Sequence, residues 1–149
     1  MEKFLSILGI MSAFIFLVLG CPSPGGEPET HFVAMGREGQ IWWSPDGGDG
    51  NWKETDPGEV NTFDCVAFGD GLFAAAGTMS DRLWQSDDGK NWSSISISGI
   101  GFYGMCYGDD RFVAVGNSGR ACWSADGSED NWTDSSPGGY SLHTVGYRP

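Results

Sequence analysis

The sequence predicts an all-β chain assembled from a repeated unit of four short antiparallel strands, and three observations carry that prediction. Sliding the chain against itself by about forty residues brings HFVAMGREGQIWWSPDGGDGNWKE, GLFAAAGTMSDRLWQSDDGKNWSS and DRFVAVGNSGRACWSADGSEDNWTD into register, and a period of that size marks a propeller or an array. The segments are rich in Val, Phe, Trp, Tyr and Ala, and Gly, Asp, Asn and Ser clusters separate them, the punctuation of strands and tight turns. After the first twenty residues no stretch shows a helical period of useful length.

The elements follow in chain order. Met1-Glu2-Lys3 precedes the apolar run FLSILGIMSAFIFLVLG, which fits the apolar region of an export signal and is short for a membrane span. The run ends in Val18-Leu19-Gly20-Cys21, which resembles a bacterial lipoprotein box. That resemblance implies a signal peptide over residues 1–20, lipidation of Cys21, and a lipid membrane as the first partner. PSPGGEPET then reads as a solvated tether across residues 21–30. Pro22 stands where an aspartate would hint at inner-membrane retention. The expected location is therefore the bacterial cell envelope, on the outer membrane where there are two.

Residues 31–149 divide into blades at about 31–58 plus 140–147, 59–99 and 100–139. Within each full repeat a first strand such as Phe63–Phe68 is followed by a second, Phe73–Gly77 or Phe112–Gly116. A third ends at a serine, and a fourth starts at a tryptophan. The repeats open on a second strand, HFVAMG, and close after a piece that looks like a first strand, LHTVGY. The C-terminal strand is thus expected to complete the first blade. Three blades are fewer than the four to eight of typical propellers, so a partial propeller or half of a six-bladed ring is expected. In the ring, a homodimer exchanges its C-terminal strands and covers edges that otherwise invite association.

The spaced boxes Ser44-Pro45-Asp46-Gly47…Trp52, Ser86-Asp87-Asp88-Gly89…Trp92 and Ser124-Ala125-Asp126-Gly127…Trp132, each preceded by FVAVG-type strands, resemble the Asp-box (BNR) repeat of the sialidase-like superfamily. The likeness spans His31 to Tyr147. It departs from the common pattern in placing each glycine directly after its aspartate, and two copies insert extra residues before the tryptophan. The resemblance implies a β-propeller whose boxes lie at the rim, away from the ligand face. Short acidic side chains bond backbone N–H groups of their own turns, which also makes the boxes structural. A calcium site from Asp46, Asp49 and Asn51, or from Asp126, Glu129 and Asp130, is the competing reading. Its spacing matches no EF-hand loop, and the second copy carries a lysine there.

Charge and motifs narrow the function. Twenty acidic against eight basic residues give a net charge of −12, which repels nucleic acid. No Ser/His/Asp arrangement, CxxC pair or phosphate-cradling loop is present, so no catalytic residue, cofactor or metal is assigned. Cys65, Cys106 and Cys122 read as small apolar strand residues, and His31 and His143 as unrelated polar positions. The tyrosines, and Trp42, Trp43, Trp84 and Trp123, read as packing residues, the tryptophans directed in two sets to opposite blade faces. On the face opposite the boxes, Arg37, Arg82 and Arg120 are the candidate ligand-gripping residues. The expected role is a noncatalytic binding or assembly scaffold with a protein or glycan ligand. Its alternatives are a lectin and a sialidase-like glycoside hydrolase.

Overall fold

A computed structural model describes Thr30 and residues 32–58, 62–79, 82–97, 101–128 and 131–149. The signal peptide, Cys21, His31, Glu129 and Asp130 lie outside the described residues. Three antiparallel sheets, each built from strands consecutive in sequence, follow one another along the chain. The first holds β1 (Phe32–Met35), β2 (Ile41–Ser44) and β3 (Lys53–Thr55). The second holds β4 (Cys65–Gly69), β5 (Leu72–Ala76), β6 (Arg82–Ser86) and β7 (Ser93–Ser96). The third holds β8 (Phe102–Gly108), β9 (Arg111–Gly116), β10 (Ala121–Ser124) and β11 (Thr133–Asp134).

The turns explain why strands form where they do. Asp70 and Gly71 both have positive φ, 50° and 74°, the two-residue turn whose twist suits a hairpin. Asp109 and Asp110 occupy the same turn between β8 and β9 at 52° and 54°. The third strands end at Ser44, Ser86 and Ser124 as the repeat predicts. The fourth strands start one residue later than expected, at Lys53, Ser93 and Thr133. In the second and third blades the cause is visible. The indole N–H of Trp92 donates to Gly89 O and that of Trp132 to Gly127 O, both at 3.1 Å, so each tryptophan belongs to its turn.

Alternation sends neighbouring residues to opposite faces of each sheet, and the core fills the two spaces between sheets. Ile41, Phe63, Ala75 and Trp84 form one cluster, joined by Val33 and Met35. Ala74, Ala76, Leu83, Phe102, Met105, Phe112, Ala114 and Cys122 lie in the other. One backbone bond repeats at every junction. Phe63 N–H donates to Gly36 O at 3.1 Å, Phe102 N–H to Gly77 O at 3.3 Å, and Leu142 N–H to Gly116 O at 2.9 Å.

That third bond places the C-terminal segment. Among the described residues the first sheet has three strands, and residues 140–147 do not pair with β1. They lie against β8, where a Cβ on Gly104 would meet the Thr144 backbone and one on Gly108 the Tyr147 ring. Gly69 meets the Tyr107 ring in the same way. The segment therefore sits as the innermost strand of a further blade, without the neighbour that would make it a ladder.

Candidate functional site

The boxes have a common internal geometry. The buried hydroxyl of Ser44 accepts the Gly47 N–H at 2.9 Å, Ser86 that of Gly89 at 2.7 Å, and Ser124 that of Gly127 at 2.8 Å. Each serine donates in turn to its aspartate, at 3.3, 3.0 and 3.3 Å. Asp46 accepts from Gly48 N–H and from the Asn51 amide. Asp88 accepts from the N–H groups of Lys90 and Asn91, and Asp126 from Ser128 and Asn131. These carboxylates face hydrogens, and Asn51 offers Asp46 its amide nitrogen. A calcium site needs convergent lone pairs instead.

The bonds also set the acidity of the turns. The Gly48 N–H holds Asp46 below the ordinary carboxylate value, and the Ser128 N–H does the same for Asp126. For Asp88, burial pushes upward, but the Asn91 and Lys90 N–H groups outweigh it and hold the carboxyl at about 2, against an ordinary 3.8. A depressed folded-state value contributes stability that is complete above the ordinary value and lost as pH falls through the folded one. The urea midpoint of the wild type is therefore expected to fall between about pH 4 and pH 2. Asp88→Asn is expected to flatten part of that fall; an unchanged slope would contradict the assignment.

The boxes also join neighbouring blades. Thr55 Oγ1 donates to Lys90 O at 2.8 Å, and the Lys90 ammonium lies 4.2 Å from the Trp43 ring centre. Gln85 Nε2 donates to Gly127 O in the next blade. Trp43 and Trp84 are buried, the latter edge-on to Phe63 at 5.9 Å, whereas Trp42 is more than a third exposed on the outer face of the first blade. Cys65, Cys106 and Cys122 are free thiols. Burial pushes Cys65 up to about 12 and raises the other two as well, which removes thiolate reactivity at neutral pH.

Cavities open at the opposite end of the strands as well as beside the second box, where one of about 430 Å³ is lined by Leu72, Gln85, Asp87 and Trp92. A cavity of about 590 Å³ at the edge of the first blade is lined by Glu38, Gln40, Glu54, Thr55 and Asp56. A smaller one, about 310 Å³, lies where β1, β4, β8 and the C-terminal segment meet and is the better candidate. It is bordered by Met35, Asp64, Cys65, Tyr103, His143 and Thr144. Asp64, Tyr103 and His143 are equivalent positions, each directly following the apolar residue whose N–H makes the junction bond. Tyr103 and His143 stack at 4.6 Å with 29° between their planes. Asp64 Oδ2 accepts from the N–H and hydroxyl of Thr78, both at 2.8 Å.

Comparison with solved structures bears on the fold that carries this cavity. The chain is similar to YCF48 from Cyanidioschyzon merolae, with a TM-score of 0.50 and 22% identity over 72% of this chain and 37% of that one. The chain folds as part of a β-propeller. It also matches YCF48 bound to D1 peptide, with a TM-score of 0.47 and 16% identity over 77% of this chain and 41% of that one. The chain thus spans about two fifths of the length of the propellers it matches. No family model and no curated protein sequence matches it.

The sequence-predicted arginines lie at the cavity end of the propeller blades but do not share a partner. Arg37 is exposed in the turn after β1. Arg82 Nη1 donates to Ser94 Oγ at 2.8 Å on the outer strand of its blade. Arg120 lies over the Phe102 ring at 5.6 Å; Asp134 is held low first by hydrogen bonds from Ser136, with a smaller contribution from the Arg120 charge. Sequence reasoning missed the Asp64, Tyr103 and His143 set, reading the tyrosine as packing and the histidine as unrelated. The signal is the polar or aromatic residue that follows Phe63, Phe102 and Leu142 at matched repeat positions.

Proposed function

We propose that this chain is a noncatalytic propeller scaffold of the Asp-box type, which holds a protein segment across the mouth of its inner strands. The observation that carries the reading is the cavity bordered by Asp64, Tyr103 and His143. It combines a stacked aromatic pair with an acidic acceptor. Aromatic faces with a polar handle are characteristic of binding surfaces. The acidic chain favours a neutral or basic segment. The lipoprotein box supports anchoring through Cys21 at the bacterial envelope, and the box turns serve as structural fasteners at the far end.

Envelope extracts passed over the immobilised chain test this reading. A captured protein should be lost with Tyr103→Ala and Asp64→Ala, yet retained with Asp87→Ala on the box side. Binding on a glycan array without a captured protein would replace the protein ligand with a carbohydrate. Hydrolysis of fluorogenic sialosides would overturn the noncatalytic reading.

A further inference from the structure

The two ends of the blade row carry the two halves of one missing interface. Each complete blade pairs an aromatic ring of its first strand with a phenylalanine of its second. Phe68 meets Phe73 at 4.5 Å, and Tyr107 meets Phe112 at 4.8 Å. Phe73 is 6% exposed and Phe112 is fully buried, but their equivalent Phe32 is 49% exposed, and among the described residues no first strand pairs with β1. At the other end, Tyr147 occupies the position of Tyr107 against the preceding blade, and 51% of it is exposed. Among the described residues, one end presents a second strand with no first strand beside it, and the other a docked first strand with no second strand beside it.

We infer that two copies of the chain close head to tail, residues 142–147 of each pairing antiparallel with β1 of the other. The blade-to-blade interface already present continues onto residues 142–147 through the Leu142–Gly116 bond. The register carries over from the second blade, where Cys65 faces Ala76, Val66 faces Ala75, Ala67 faces Ala74 and Phe68 faces Phe73. Thr144 therefore faces Met35 of the second copy, Val145 faces Ala34, Gly146 faces Val33, and Tyr147 covers Phe32. Charge agrees with this arrangement. The Lys90 turn covers Trp43, so the equivalent turn bearing Asp49 arrives over Trp123, where Arg111 lies 5.2 Å from the ring centre.

Head-to-tail contacts close into rings when the rotation permits. Propellers hold about four to eight blades, and two copies of the three described blades make six, within that range. Closure also brings Met35 of the second copy beside Thr144, at the border of the Tyr103 and His143 cavity. The ligand site proposed above would then be bounded by both copies, although closure itself does not depend on that function.

Mixing full-length Ala34→Cys chains with full-length Val145→Cys chains under mild oxidation tests the pairing. The expected product is a disulfide-linked species at twice the 16.0 kDa chain mass, formed in the mixture and absent from either variant alone. Light scattering of the wild type should give two copies, and Phe32→Asp should give one copy with unchanged circular dichroism. A wild-type monomer, a mass of three or more copies, or a disulfide formed only within the Ala34→Cys/Val145→Cys double variant would each overturn the inference.

Discussion

Replacing Phe112 with alanine is expected to cost about 3–5 kcal/mol, the range for deleting a large buried ring. The thermal midpoint should fall by roughly 10–20 °C for a domain of this size. The ring is fully buried between the second and third blades, in one cluster with Ala74, Leu83 and Cys122, and it meets Tyr107 edge-on. Phe68→Ala supplies the comparison. Phe68 also takes part in a ring pair, but it is 55% exposed, so its loss should cost about 1 kcal/mol or less. Calorimetry on both variants checks the difference. Equal losses would mean that the space between these blades does not dominate stability.

The second large effect is expected at Gly77. A Cβ there would lie 1.6 Å from the Thr62 carbonyl oxygen, a backbone atom with no rotamer to retreat into. Gly77 O also accepts the bond from Phe102 that joins the second and third blades. Gly77→Ala must therefore displace backbone at a blade junction and should cost about 3 kcal/mol or more. Gly71→Ala separates crowding from backbone conformation. Gly71 has φ +74° and open space around its Cβ position, so alanine there meets only the left-handed penalty of about 1–2 kcal/mol. Urea unfolding of the two variants gives the order; a milder Gly77→Ala would remove the crowding explanation.

The fold was legible because its signals are local. Val, Phe and Ala alternation, the Asp-Gly turn at Asp70 and Gly71, and the three serine-ended third strands all lie within one repeat. They therefore survive in sequence as a period. The start of the fourth strands was misplaced by one residue because an indole can join either a ladder or a turn. The bonds from Trp92 and Trp132 to glycine carbonyls decide for the turn. The C-terminal piece was identified as a first strand, and its junction bond agrees, but where it rests depends on the packing of Gly104 and Gly108. Sequence also directed attention to arginines on the ligand face. In space, Arg82 and Arg120 engage their own blades, and the inner-strand residues Asp64, Tyr103 and His143 border the cavity. Equivalence between repeats was readable there, but exposure was not.

The junction bond that recurs at Gly36, Gly77 and Gly116 has a consequence for how the chain assembles. Every sheet is made from neighbouring hairpins, and each new blade attaches to its predecessor through the first residues that follow it. Order can thus spread along the chain one blade at a time, with few long loops to close first. Loss of order runs the other way. Among the described blades the middle one has a neighbour on both sides and the first has one, so within a single copy order is expected to be lost at the first blade before the middle one. Trp84, closed between the first two blades, marks how far that loss has travelled.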